Sequence, residues 1–104
     1  MRADVAAGLA EFEPRAAEAA EMLKLLANER RLKILCRLGV EREMSVGMLA
    51  QAVGLSQSAL SQHLAKMRDE GLVATRRDAQ TVFYRIADNN VARVLSVLKR
   101  IYCP

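Results

Sequence analysis

The sequence predicts a mainly α-helical domain with one small β-hairpin, arranged as a winged helix-turn-helix. Three observations predict it. Residues 45–71 read as a helix, a turn marked by Gly54 and a second helix stopped by Gly71. Residues 72–76 and 81–86 then switch to β-branched and aromatic side chains around the polar stretch Arg77-Asp78-Ala79-Gln80, the pattern of a hairpin. The chain is 52% hydrophobic but only 4% aromatic and has no Trp. Ala, Leu and Val supply the apolar content, which suits helix packed on helix.

Taken in order, residues 1–13 carry no firm start or stop signal and are expected to be a flexible N-terminus, leaving 14–104 as the domain. Pro14 fits a first helical turn. Ala19, Met22, Leu23, Leu25 and Leu26 then mark a first helix to about Ala27. Asn28 is the next N-cap, with Glu29 in the first turn. The helix it opens carries Leu32, Leu35 and Leu38 on one stripe and meets a candidate stop at Gly39. Ser45 caps a third helix with Val46, Leu49 and Val53, ending at Gly54, and Leu55 plugs the turn. Ser56 caps the fourth, where Leu60, Leu64 and Met67 recur at helical spacing, and Gly71 closes it as a left-handed cap. After the hairpin, Asp88 or Asn89 opens a last helix with Val91, Val94, Leu95, Leu98 and Ile101 inward.

A chain of 104 residues is one small domain. Alone it buries roughly 60–70% of its unfolded surface, so its core is marginal and dimerisation would complete it. Charge is unevenly spread. Residues 1–27 hold three Lys/Arg against five Asp/Glu, net −2; residues 28–104 hold thirteen against seven, net +6. The helix-turn-helix and its wing are the basic part, which favours a polyanionic partner. No apolar run reaches the roughly 20 residues of a membrane span, and no signal-peptide pattern opens the chain. A cytoplasmic location is expected, where two cysteines are not a structural staple.

With Leu60, Leu64 and Met67 inward, the fourth helix turns Gln57, Ser58, Ser61, Gln62, Ala65 and Lys66 outward. Gln57, Ser58, Ser61 and Gln62 lie toward its N-terminal half, the end that approaches base edges in a helix-turn-helix. Gln pairs with adenine and Ser donates or accepts. His63 suits a base, a phosphate or a plain surface role. Lys66 and Arg68 suit phosphates. On the wing, Arg76, Arg77, Gln80 and Thr81 are candidates for a minor groove or its phosphates. Composition alone leaves a merely solvated face equally open; the ordered helix–turn–helix–wing run favours double-stranded DNA.

The segment from Ala27-Asn28-Glu29-Arg30-Arg31-Leu32, through Ser45-Val46 and Leu55-Ser56-Gln57-Ser58-Ala59-Leu60-Ser61-Gln62-His63-Leu64, to Gly71-Leu72-Val73 resembles the ArsR/SmtB family of bacterial winged-helix repressors. The resemblance covers nearly all of the chain beyond the first dozen residues. It implies a homodimer joined through the first and last helices, and repression by operator binding that an inducer relieves.

Many such repressors sense metals, which need two to four well-placed Cys or His. Metal-sensing relatives often carry Cys-x-Cys on the helix before the reading unit; here Ile34-Leu35-Cys36-Arg37-Leu38 has one Cys. The last helix has no His, and His63 is the only one in the chain. No metal site or cofactor is assigned, although a metal-responsive repressor using the same cysteines remains the alternative. Cys36 and Cys103 remain. Read alone, Cys36 is a small buried hydrophobe and Cys103 a terminal thiol without a task, or the two are a redox pair. Their settings, Arg31-Leu32-Lys33-Ile34-Leu35-Cys36 and Ile101-Tyr102-Cys103, resemble the persulfide-sensing, BigR/SqrR/HlyU-like branch of the family. That resemblance implies that a disulfide or polysulfide bridge joins the two thiols in response to reactive sulfur. Arg37, Lys99 and Arg100 favour thiolates, whereas the helix C-terminus beside Cys103 disfavours them. An enzyme is not expected: the chain has no Cys-x-x-Cys and no cofactor motif. An interaction module that has lost DNA binding is the other rival.

Overall fold

The computed structural model describes residues 3–104. Six helices and three short strands follow in the order α1 (Ala3–Phe12), a 3-10 turn (Glu13–Arg15), α2 (Ala16–Leu26), α3 (Glu29–Glu41), β1 (Met44–Ser45), α4 (Val46–Val53), α5 (Gln57–Asp69), β2 (Val73–Asp78), β3 (Thr81–Ile86) and α6 (Asn89–Tyr102). This is the expected winged helix-turn-helix, with a three-stranded antiparallel sheet in the order β1-β3-β2.

Local signals set most boundaries. Asn28 accepts from Arg31 N at 3.1 Å, Ser45 from Met48 N at 3.3 Å and Ser56 from Ala59 N at 3.1 Å. Each relieves a first-turn N–H that has no partner inside its helix. Asp88 does the same for α6, accepting from Asn90 N at 2.8 Å. Gly54 and Gly71 take the left-handed backbone at φ 72° and 78°, which glycine adopts without Cβ strain.

The core joins α3, α4, α5 and the sheet. Ile34, Leu35, Leu38, Leu49, Leu60, Leu64, Met67 and Val91 are its fully buried side chains. Leu55 packs against it from the turn, and its N–H, like that of Gly54, bonds to Ala50 O. The spacing of Leu60, Leu64 and Met67 leaves one face of α5 for solvent.

Three expectations are corrected and one segment gains an element: within residues 1–13, where the sequence offers no firm start or stop, Ala3–Phe12 is helical; Met1 and Arg2 lie outside the described residues. An Ala-rich run has high helix propensity without a cap. Gly39 does not stop α3, which continues to Glu41 and ends with Arg42 at φ 70°. The glycine lies against β3, where an added Cβ would meet Ile86 Cδ1 at 3.7 Å; packing overrides its breaker tendency. The hairpin tip is two residues, not four, because Arg77 pairs with Val82 and Asp78 with Thr81. Ala79 supplies the turn's positive φ of 54°. Finally, Ile101 does not face inward: it is 60% exposed.

The protomer measures 53 × 29 × 22 Å with a radius of gyration of 15.9 Å. A compact domain of this length has about 13 Å. The excess accompanies apolar residues left in water: Val5, Leu9 and Phe12 on α1, Leu23 on α2, and Val97, Ile101 and Tyr102 on α6. No helix of the described residues is long and apolar enough to cross a membrane.

Candidate nucleic-acid interface and thiol pair

The exposed face of α5 carries the predicted reading residues. Gln57, Ser58, Ser61, Gln62 and Lys66 are all exposed, and His63 is half-buried. The first two follow the Ser56 cap directly, so the N-terminal end of α5 presents amide and hydroxyl groups. Lys66 and Arg68 lie in its last turn, where cations are favoured by the helix dipole. On α4, an added Cβ at Gly47 would come within 3.5 Å of Gln57 Nε2.

The wing separates its two arginines. Side chains alternate across a strand, so Arg76 and Arg77 face opposite sides of the sheet. Arg77, Gln80 and Thr81 are exposed at or beside the tip. Arg76 is instead tied down: its Nε donates to Glu43 Oε2 at 2.8 Å and Oε1 at 3.0 Å. Its guanidinium lies over the Phe83 ring, 4.7 Å from the centroid, a cation–π contact. Because Phe83 is on the central strand, Arg76 reaches from edge strand β2 across β3 to the residue just before β1. Sequence reading missed this strap, since Glu43 and Arg76 are 33 positions apart and carry no local motif.

Hydrogen bonds from Arg76 hold the Glu43 carboxyl below its ordinary value of 4.5; burial opposes this, and attraction to Arg76 and Arg85 adds to it. The same pairing raises Arg76. A depressed carboxylate stabilises the fold above its unfolded pKa and ceases to do so as pH falls through the folded value. We therefore expect Glu43→Gln to destabilise the wing by a constant amount from neutral pH down to about 4.5. The gap to the unsubstituted protein should close below that range. Urea unfolding across a pH series checks this, and a gap unchanged at pH 3 would contradict it.

The two cysteines are free and exposed. Cys36 lies mid-way along α3 and lines a groove of about 580 Å³ with Leu32, Lys33, Arg37, Val40, Ala52 and Val53. Its exposure differs from the inert buried role. Cys103 caps the C-terminus of α6, its N–H bonded to Lys99 O at 2.7 Å. Lys33 and Arg37 make only loose ion pairs within α3, at 3.9 Å to Glu29 and 4.0 Å to Glu41, so positive charge flanks the Cys36 thiol. Lys99 and Arg100 occupy the last turn of α6.

Residues 28–75, from the α3 cap into β2, match the family described as bacterial regulatory protein, arsR family. Over 95 residues the chain is 53% identical to the transcriptional activator HlyU of Vibrio cholerae, covering 91% of this chain and 87% of that one. The chain belongs to the ArsR family of bacterial regulatory proteins. Its fold agrees with that of reduced HlyU from Vibrio cholerae, with a TM-score of 0.78 at 52% identity over 90% of this chain and 98% of that one. The transcriptional repressor BigR of Xylella fastidiosa gives 0.82 at 41% identity over 90% and 95%. This ArsR-family protein is thus a DNA-binding regulator of transcription and not an enzyme.

Proposed function

We propose that this regulator is a homodimeric repressor that holds operator DNA while its thiols are reduced. It lets go when reactive sulfur links Cys36 to Cys103. The observation that carries this reading is the pair of free, exposed thiols on two different helices, one of them flanked by cations. Similarity to a repressor, BigR, and to HlyU, a protein solved in a reduced form, supports it.

In the proposed dimer the uncovered apolar residues of α1, α2 and α6 meet their counterparts on a second copy. The two α5 helices then enter successive major grooves, roughly 34 Å apart. Gln57, Ser58, Ser61, Gln62 and His63 face bases or nearby phosphates. Lys66, Arg77, Gln80 and Thr81 anchor the backbone. Arg76 contributes its remaining guanidinium nitrogens without leaving Glu43.

The oxidant is a low-molecular-weight persulfide, R–S–SH. A cysteine thiolate attacks its outer sulfur, leaving Cys–S–SH and expelling the thiolate R–S⁻. The second cysteine thiolate attacks the first cysteine's own Sγ, closes Cys–S–S–Cys and expels the outer sulfur as HS⁻. Two thiols are oxidised and the persulfide is reduced. If both cysteines are persulfidated first, closure releases H₂S and leaves a three-sulfur bridge. Either link ties α3 to the end of α6, an interface helix of the dimer. DNA affinity falls by the difference in stability that the link makes between the binding and non-binding arrangements.

A Cys36→Ser variant should repress a reporter as the wild type does and show no induction by sulfide. Normal induction in that variant would exclude the mechanism. Operator binding lost in the reduced wild type would exclude the repressor itself.

A further inference from the structure

Among the described residues, one charged side chain lies inside the protomer rather than on its surface. Arg31, in the first turn of α3, is 9% exposed. Its Nη1 donates to Leu25 O at 2.9 Å, and its Nη2 lies 2.7 Å from Glu70 Oε1. Leu25 belongs to the last turn of α2, whose terminal carbonyls have no acceptor role within the helix. Glu70 is the C-cap of the recognition helix α5. Three helices therefore meet at one guanidinium.

Two features set this cluster apart from ordinary stabilising contacts. Glu70 stands at the negative end of its own helix dipole, where a carboxylate is disfavoured. Its Oε1 is shielded from water and has no hydrogen-bond partner, so its contact with Arg31 is charge pairing, while the Glu70 side chain as a whole is half-buried. Buried ion pairs are poor sources of stability, and their best-attested use is to fix one arrangement among several. The arrangement fixed here is that of α5 relative to α2.

We propose that Arg31 and Glu70 are positioning residues for DNA recognition. They lock the recognition helix to α2 and so set the separation of the two α5 helices in the dimer. Neither residue touches DNA. The inference rests on the dimeric reading above, since only a dimer has two recognition helices to space. Arg31 shares α3 with Cys36, so a shift of α3 on sulfur bridging would act on the same lock.

The test uses the full chain and operator duplexes whose half-sites stand at the native spacing or are moved by one or two base pairs. Glu70→Gln should weaken binding at the native spacing about tenfold, within the range found for coupling between sites. It should bind the shifted duplexes nearly as well as the native one, with an unchanged salt slope. The variant Arg31→Met with Glu70→Leu removes both charges together and guards against unfolding; thermal unfolding and sedimentation should report a folded dimer with the same loss of spacing preference. Retained spacing preference in both variants, or affinity lost equally at every spacing, would overturn the proposal. A wild type without spacing preference, or binding as a monomer, would instead overturn the dimeric reading on which it stands.

Discussion

Replacing Lys66 and Arg77 together by alanine should weaken operator binding roughly a thousandfold at 0.1 M salt. Each side chain is exposed, one in the last turn of α5 and one beside the wing tip. In the proposed dimer the change removes four phosphate contacts. Each contact contributes about 0.9 to the slope of log K against log salt, so the slope should shrink by about 3.6. Referred to 1 M salt, where this contribution vanishes, that change is about 3.6 decades at 0.1 M, within about a factor of four of the figure given. The loss should be uniform across sequences, because phosphates carry no sequence information. Anisotropy titrations from 50 to 300 mM salt check it. An unchanged slope would remove these two side chains from the interface.

The second large effect is on stability. Leu64 is fully buried between α5 and the core. Leu64→Ala should cost about 3–4 kcal/mol, from lost transfer energy and the cavity left behind. A domain of this size holds roughly 5–15 kcal/mol in all, so Tm should fall by roughly 15 °C. Met48, largely exposed on α4, serves as contrast: Met48→Ala should stay within about 0.5 kcal/mol. Thermal melts at one fixed protomer concentration compare the two, since dimerisation makes Tm depend on concentration. Equal shifts would mean that the inward stripe of α5 is misassigned.

What the sequence made legible was whatever a few neighbouring residues decide. Asn28, Ser45 and Ser56 cap their helices through their own side chains. Gly54 and Gly71 take a backbone region costly to other residues. The Leu60-Leu64-Met67 stripe told which face of α5 meets solvent, and with it the exposed reading residues. Contacts between distant segments stayed hidden. Ile86 packs beside Gly39 and lets α3 run on. β1 has two residues, too few for any period, and exists because Met44 and Ser45 pair with Tyr84 and Phe83. Arg77 and Asp78 look like loop residues, but β3 pairs with both. The helix Ala3–Phe12 shows no inward stripe in the sequence, and its apolar side chains Val5, Leu9 and Phe12 stay uncovered in the protomer.

The same division holds in the candidate site. Cys36 and Cys103 were visible as the only two thiols, yet the groove around Cys36 needs α4 beside α3. Arg76 was visible as a basic wing residue. Its bond to Glu43, which occupies Nε, depends on a cross-sheet approach that no spacing reveals.

The most direct measurement treats the reduced protein with increasing glutathione persulfide and divides each sample in two. One half is titrated with an operator duplex; the other is digested and weighed by mass spectrometry. Affinity should fall in step with the fraction of peptide in which Cys36 and Cys103 are joined, directly or through additional sulfur atoms. Complete joining with affinity intact, or affinity lost while the two peptides remain separate, would contradict the account.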